Sequence, residues 1–217
     1  MSFAATWRAR RLGIALALLL PAVLLGGLLK GSLIAHLLVQ FPALVIAGVL
    51  LGASTARREA RAGAPTTASA ATTEGVAAIL LAGFCLAFWM LPRWVDAAVL
   101  DPWADGAKIA SLVLLAGVPL GWGWRRVGPL ARAVVWANAT SMLLVMGMLY
   151  VTFPQRLCNT YLVDQQVALG WAVLTLALAL AASGAIRALA GEAIAGAFSP
   201  RRGAARSVPR GPLQATR

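Results

Sequence analysis

Six long apolar segments limit what this chain can fold into. They span residues 12–29, 32–53, 76–92, 107–124, 129–153 and 165–186. A helix needs about 20 apolar residues to cross the hydrocarbon core of a bilayer. Apolar residues make up 60% of the chain and charged residues only 12%, whereas soluble domains contain about 25% charged residues. The pattern predicts an all-α polytopic membrane protein in which residues 1–190 form a bundle of six transmembrane helices. It argues against a soluble enzyme, a disordered chain and a disulfide scaffold.

The two ends of the chain call for separate interpretations. A signal peptide is the alternative for residues 12–29, because Arg8, Arg10 and Arg11 precede this segment. Its length of 18 residues and the lack of a small-residue cleavage site favour a retained helix. Residues 191–217 are basic and contain prolines, which predicts a disordered tail.

The distribution of basic residues predicts how the six helices are oriented. Of the 19 Lys and Arg residues, 15 fall on one side of the membrane: in the N-terminus, the 54–75 linker, the 125–132 turn and the tail. The other side holds Lys30, Arg93, Lys108 and Arg156. The positive-inside rule therefore puts both termini in the cytoplasm. Because the basic residues flank the apolar segments, the net charge of +12 is explained by membrane topology and predicts no nucleic-acid partner.

Polar side chains in or beside the apolar segments mark the candidate functional site, because such groups are costly in lipid. His36 is the only histidine, and Gln40 lies four residues later on the same helix face. The outer ends of the other segments carry Asp96, Asp101, Asp105, Asp164, Gln165 and Gln166. We expect His36, Asp164, Gln165 and the 96–105 loop to approach one another at the outer face.

Each of these residues also has a purely structural interpretation. A histidine such as His36 is more often a hydrogen-bond partner between helices than a ligand, and Asp164 is more often an N-cap than a functional group. The three aspartates of the 96–105 loop are also typical of a solvated loop.

Soft donor atoms on the outer half of the bundle suggest a copper(I) site. Copper(I) prefers sulfur and imidazole ligands. Met142 and Met146 are four residues apart and share a helix face, and Met90 and Cys158 lie on the same side. The predicted metal ligands are therefore His36, Met142 and Met146. The alternative is that the methionines only fill gaps in the packing.

Three stretches of the sequence resemble a known family. They are HLLVQFPALVIAG from His36, FWMLPRWVDAAVLDPWADGAKIASLVLLAGVPLGW from Phe88, and Asp164-Gln165-Gln166 followed by Ala168, Gly170 and Trp171. Together they resemble the membrane-integral CtaG-like proteins, which are assembly factors for bacterial haem–copper cytochrome c oxidases. The resemblance covers most of residues 32–172. It equates His36 with the family's second-helix histidine and residues 164–166 with its DQQ element, but the further outer-face histidines typical of the family are missing.

The resemblance implies a function as well as a fold. It implies a non-enzymatic assembly factor in the bacterial cytoplasmic membrane that assists copper delivery at the outer face. The implied partners are oxidase subunits or a copper chaperone, and the oligomeric state is left open. A small metal-ion or solute transporter is the alternative, since Pro21, Pro42 and Pro119 interrupt helices. An intramembrane haem enzyme is the least favoured, because one histidine cannot supply two axial ligands.

The predicted orientation can be tested by cysteine labelling in intact cells. A membrane-impermeant maleimide is expected to label Cys158 and Arg93→Cys, and to leave Arg57→Cys, Arg125→Cys and Arg202→Cys unlabelled. Each introduced cysteine would be studied in a chain without the native ones. Labelling of Arg125→Cys in intact cells, without labelling of Cys158, would mean that the orientation is inverted.

Overall fold

The computed structural model describes residues 3–62, 68–153, 155, 157 and 160–198. This part of the chain is helical throughout and has no strands. The α-helices are α1 (Phe3–Leu24), α2 (Gly26–Leu29), α3 (Phe41–Ala62), α4 (Ala68–Trp89), α5 (Pro92–Leu100), α6 (Pro102–Ser111), α7 (Val118–Gly123), α8 (Pro129–Thr152) and α9 (Val163–Phe198). A π-helical segment, Ala35–Gln40, leads into α3, and a second one, Leu112–Gly117, joins α6 to α7.

Five helical stretches are long and apolar enough to cross a membrane. They are Ala35–Ala56, Ala70–Trp89, Pro102–Gly123, Pro129–Thr152 and Val163–Ala190. They match the second to sixth predicted segments, so a multi-pass membrane protein in contact with the lipid bilayer is confirmed. Residues 12–29, the predicted first span, are divided between α1 and α2 with a break at Leu25. The sixth span and the cytoplasmic location of the termini remain predictions.

Two helix boundaries differ from the sequence prediction: an N-cap starts α6 earlier, and α9 extends further along the chain. The region 93–106, expected to be a loop, contains α5 and the first half of α6. Asp101 has extended backbone angles before Pro102, and its carboxylate accepts a hydrogen bond from the backbone N–H of Trp103 at 3.0 Å. This N-cap starts α6 five residues before the predicted segment. At the other end of the chain, α9 continues to Phe198, so residues 191–198 of the predicted disordered tail are helical. Residues 199–217 lie outside the described chain.

Both π-helical segments end two residues before a proline. Ala35–Gln40 precedes Pro42, and Leu112–Gly117 precedes Pro119. A proline has no N–H to donate, and its ring clashes with the carbonyl four residues earlier in an α-helix. A wider π-turn before the proline relieves this clash without ending the helix. Pro42 and Pro119 therefore mark widened turns inside membrane helices.

Glycines allow the central helices to pack backbone against backbone. Gly48 of α3 faces Gly117, at the end of the second π-helical segment. Gly52 of α3 faces the backbone of Val118, and Gly121 of α7 faces the backbone of Val49. A β-carbon added to Gly117 would lie 2.5 Å from the carbonyl oxygen of Val45 and 2.7 Å from the Cα of Gly48. Small residues four apart on two helices are the usual basis of such close packing in membranes.

We expect Gly117→Ala to destabilise the protein and Gly83→Ala to leave it nearly unchanged. The new methyl group at position 117 would meet backbone atoms of α3, which cannot move aside like a side chain. Such overpacking costs about 1–3 kcal/mol. Gly83 lies inside α4 with nothing within 4 Å of the added carbon, so it is the matched control. Thermal unfolding in detergent micelles would compare the two. Equal melting temperatures would contradict the proposed packing.

Candidate functional site

Six polar side chains form a cluster near one end of the bundle, and we call this group the polar cluster. His36, Gln40 and Lys108 are completely buried, with 0% of each residue exposed. Lys30, Asp105 and Tyr161 complete the group. The six residues come from the turn after α2, the first π-segment, α6 and the turn before α9. The polar cluster therefore connects parts of the chain that are far apart in sequence.

Lys108 lies at the centre of the polar cluster. Its Nζ lies 2.7 Å from Oδ1 of Asp105, 2.9 Å from Nε2 of His36 and 3.1 Å from Oε1 of Gln40. An ammonium group has three N–H donors and no acceptor. Lys108 thus makes hydrogen bonds with His36 and Gln40 and an ion pair with Asp105, which together compensate the cost of burying the charge. The ring of Phe41 closes one side, with its centroid 5.7 Å from Nζ.

The hydrogen-bond partners of His36 define its tautomer. The hydroxyl of Tyr161 donates to the backbone carbonyl of Lys30 at 2.9 Å, so it accepts from Nδ1 of His36, which is also 2.9 Å away. Nε2 of His36 accepts from Lys108. The imidazole is therefore neutral, with its proton on Nδ1. A directed chain of hydrogen bonds runs from Lys108 through His36 and Tyr161 to Lys30.

Asp105 balances the lysines of the polar cluster. Its two carboxylate oxygens pair with different ammonium groups, Oδ1 with Lys108 at 2.7 Å and Oδ2 with Lys30 at 2.9 Å. The side chains of Lys30 and Asp105 are each 18% exposed, whereas that of Lys108 is not exposed. The polar cluster is thus open to solvent on the side of Lys30 and Asp105. Two ammonium groups and one carboxylate leave one positive charge in excess.

The structure brings His36, Gln40 and Asp105, three residues singled out from the sequence, into one site. Gln40 contributes twice, since its Oε1 accepts from Lys108 and its Nε2 donates to the carbonyl of Ala22 at 2.9 Å. Lys30, Lys108 and Tyr161 were missed as site residues. The two lysines flank apolar segments, so the sequence pattern indicates only a role in membrane topology for them. Lys108 could have been identified from its three-residue spacing to Asp105, which puts opposite charges on one helix face.

The other predicted residues lie outside the polar cluster, and most of them bond to nearby backbone groups. Oε1 of Gln165 lies 3.5 Å from the backbone N of Leu33, and Oδ1 of Asp96 accepts from the backbone N of Thr160 at 3.2 Å. Gln166 is buried, and its Nε2 faces the carbonyls of Tyr150, Phe153 and Gln155 at 3.3–3.4 Å, while its Oε1 accepts from the backbone N of Leu157. Asp101 caps α6. Asp164 lies in the first turn of α9 and is exposed.

The donor atoms proposed for copper(I) differ in how accessible they are to a metal. Both ring nitrogens of His36 are already 2.9 Å from a partner, so a metal would have to displace Lys108 or Tyr161. Met146 packs against the core, whereas 53% of Met142 is exposed. Cys158 lies outside the described residues. Within those residues, no group of three His, Cys, Asp or Glu side chains is arranged to hold a metal. The copper(I) site stays a prediction.

The polar cluster does not continue through the bundle. Apart from its own members, the buried polar residues of the described chain are Thr140 and Gln166. Thr140 donates to the carbonyl of Trp136 in its own helix, at 2.9 Å. Gln166, near the start of α9, bonds to the segment between α8 and α9. Within the described chain, therefore, no line of buried polar side chains leads from the polar cluster to the opposite end.

The fold and the site define a class of protein: a multi-pass helical membrane protein with a satisfied, buried charge network near one end. Comparison of the chain with protein-family models, curated proteins and solved structures finds no match. Its function is accordingly argued from its own residues.

Removing the central ammonium is expected to cost far more stability than removing the outer one. Lys108→Met leaves Asp105 with one partner and deprives His36 and Gln40 of theirs, so we expect a loss of about 3–5 kcal/mol. Lys30→Met is the matched control, because Lys30 is partly exposed and Asp105 keeps Lys108. Reversible unfolding in mixed micelles, followed by circular dichroism, measures both. Similar losses for the two variants would show that Lys108 is not central.

Proposed function

We propose that the protein is a non-enzymatic accessory factor for the maturation of a haem–copper oxidase in a bacterial cytoplasmic membrane. The end that carries the polar cluster faces outward and meets the partner. Two elements of the CtaG-like resemblance support this proposal, since His36 and Gln165 both lie at or beside the polar cluster. The observation that carries the proposal is the one-sided placement of the buried polar side chains.

A one-sided site favours docking over transport. A transporter needs polar groups near the midplane that an ion or solute can follow across the bilayer. In the described chain, the buried charged side chain is Lys108, and it belongs to the polar cluster. The buried hydroxyl of Thr140 bonds to its own helix. The bundle therefore offers a fixed structure at one end and an apolar interior elsewhere.

The contacts of the polar cluster also favour a rigid docking surface. Lys30, Asp105 and Tyr161 join the turn after α2, α6 and the segment before α9 by bonds of 2.9 Å. Asp96 adds a bond from α5 to Thr160. Ordering loops before binding lowers the entropic cost of association. We call the surface made by α5, Asp101, the first turn of α6 and residues 160–164 the docking platform.

The docking platform presents large apolar side chains that are free of the core. Trp103 is 87% exposed and Leu100 is 75% exposed, on either side of Asp101. Tryptophan is among the residues that most often dominate the energy of a protein interface. Trp103 follows the N-cap of α6, so the polar cluster and the cap both fix its backbone. We therefore assign Trp103 as the main contact of the docking platform with its partner.

The proposal is tested by deleting the gene in its source bacterium. Deletion is expected to lower the amount of copper-loaded oxidase in the membrane, measured by oxidase activity and by copper per haem. The wild-type gene and Phe84→Ala are expected to restore both values, and Trp103→Ala is expected not to. Phe84 is a matched control, since it is 73% exposed but lies within α4. An unchanged oxidase content after deletion would overturn the proposal.

Copper binding is a separable part of this proposal. Purified protein would be titrated with copper(I) against a competing chelator, together with His36→Ala and Met146→Leu. Loss of binding in both variants would support the site of His36, Met142 and Met146. Equal binding by all three proteins, or no binding, would remove copper from the proposal and leave a docking factor. Ion or solute flux into proteoliposomes, combined with normal oxidase content after deletion, would instead support the transporter.

A further inference from the structure

A groove lined by aliphatic side chains lies between α4 and α8, at the end of the bundle opposite the polar cluster. Its volume is about 380 Å³, and Val76, Leu80, Leu130 and Val134 are among its lining residues. These four side chains are 39–79% exposed, so the groove is open to the surroundings of the helices. In a membrane, a groove of this composition is filled by hydrocarbon rather than water.

Arginines border one end of the groove. Val127 and Ala131 line it, and their sequence neighbours are Arg126 and Arg132. Close packing fixes this border, because a β-carbon added to Gly75, next to Val76, would lie 2.9 Å from Cβ of Arg126. Arg125, also in this turn, is exposed. We call Arg125, Arg126 and Arg132 the basic rim.

Aromatic and polar contacts hold the basic rim in place. The guanidinium of Arg126 stacks 3.8 Å from the ring of Trp122 and pairs with Glu74 at 2.6 Å. Nε of Arg132 donates to the carbonyl of Trp124 at 3.0 Å, which leaves its terminal nitrogens for other partners. Glu74 neutralises one of the three arginines, so a net positive charge remains beside the groove. No side chain caps the N-terminus of α8 at Gly128, which adds the positive end of a helix dipole.

We propose that the groove and the basic rim together bind one anionic phospholipid. The phosphate lies at Arg125 and Arg132, and one acyl chain lies between α4 and α8. An anionic lipid matches this arrangement, because its negative head group is joined to a hydrocarbon chain. Basic pockets between transmembrane helices bind anionic head groups in this way. The site is distinct from the docking platform and does not depend on the proposed role in oxidase maturation.

Native mass spectrometry of the purified full chain tests this site with defined lipids. The probes are phosphatidylglycerol and phosphatidylcholine with identical acyl chains. Wild type is expected to retain one phosphatidylglycerol in preference to phosphatidylcholine. Arg125→Gln, at an exposed position, is expected to weaken phosphatidylglycerol retention about fivefold and to leave phosphatidylcholine unchanged. Val134→Trp fills the groove and is expected to abolish specific retention. Val145→Trp, on the same helix at a position 64% exposed and away from the groove, is expected to behave as wild type.

Four outcomes would overturn the proposal. Equal retention of the two lipids by wild type would show that only non-specific lipid is bound. An effect of Val145→Trp as large as that of Val134→Trp would exclude the groove. If millimolar inorganic phosphate displaced phosphatidylglycerol and Val134→Trp retained this lipid as well as wild type, the basic rim would bind free phosphate and not a lipid. A dimer that disappears in Val134→Trp would instead identify a second copy of the chain as the occupant.

Discussion

The buried ammonium of Lys108 is the interaction on which the arrangement of this bundle depends. A lysine with no exposed surface is tolerated only if its charge is paired and its donors are hydrogen-bonded. His36 and Gln40 supply the hydrogen bonds and Asp105 the opposite charge, so the π-segment before α3 must lie against α6. Asp105 then holds Lys30, and His36 holds Tyr161. One charge thus fixes the relative positions of four separate parts of the chain.

This contact requires backbones that approach closely, and the glycines of α3 and α7 permit it. Gly48 and Gly117 leave no room for a side chain between the two helices, because each faces backbone atoms of the other. The π-turns before Pro42 and Pro119 widen both helices next to this crossing. Packing in lipid gains little from the hydrophobic effect. Small residues and paired polar groups therefore stabilise this bundle together with its apolar core.

The distribution of polar groups separates two functional regions. The polar cluster orders the turns at one end and supports the docking platform around Trp103, which the proposed assembly function uses. The opposite end carries the basic rim and an aliphatic groove, and its chemistry suits an anionic lipid. Between them the described chain has an apolar interior. This separation is the basis for proposing a docking protein held in a membrane rather than a conduit through it.

The sequence alone determined the class of fold, since segments near 20 apolar residues in length have few alternatives to membrane helices. It also identified His36 and Gln40 as neighbours on one helix face, because that relation depends only on spacing. It could not identify Lys108, Lys30 and Tyr161 as their partners. From sequence alone, a lysine near the end of an apolar segment is interpreted as a topology signal. Whether its side chain is buried depends on which helix packs against it. The extension of α6 to Pro102, the break at Leu25 and the π-turns were likewise decided by capping and packing. These features arise from contacts between distant residues, which local periodicity does not encode.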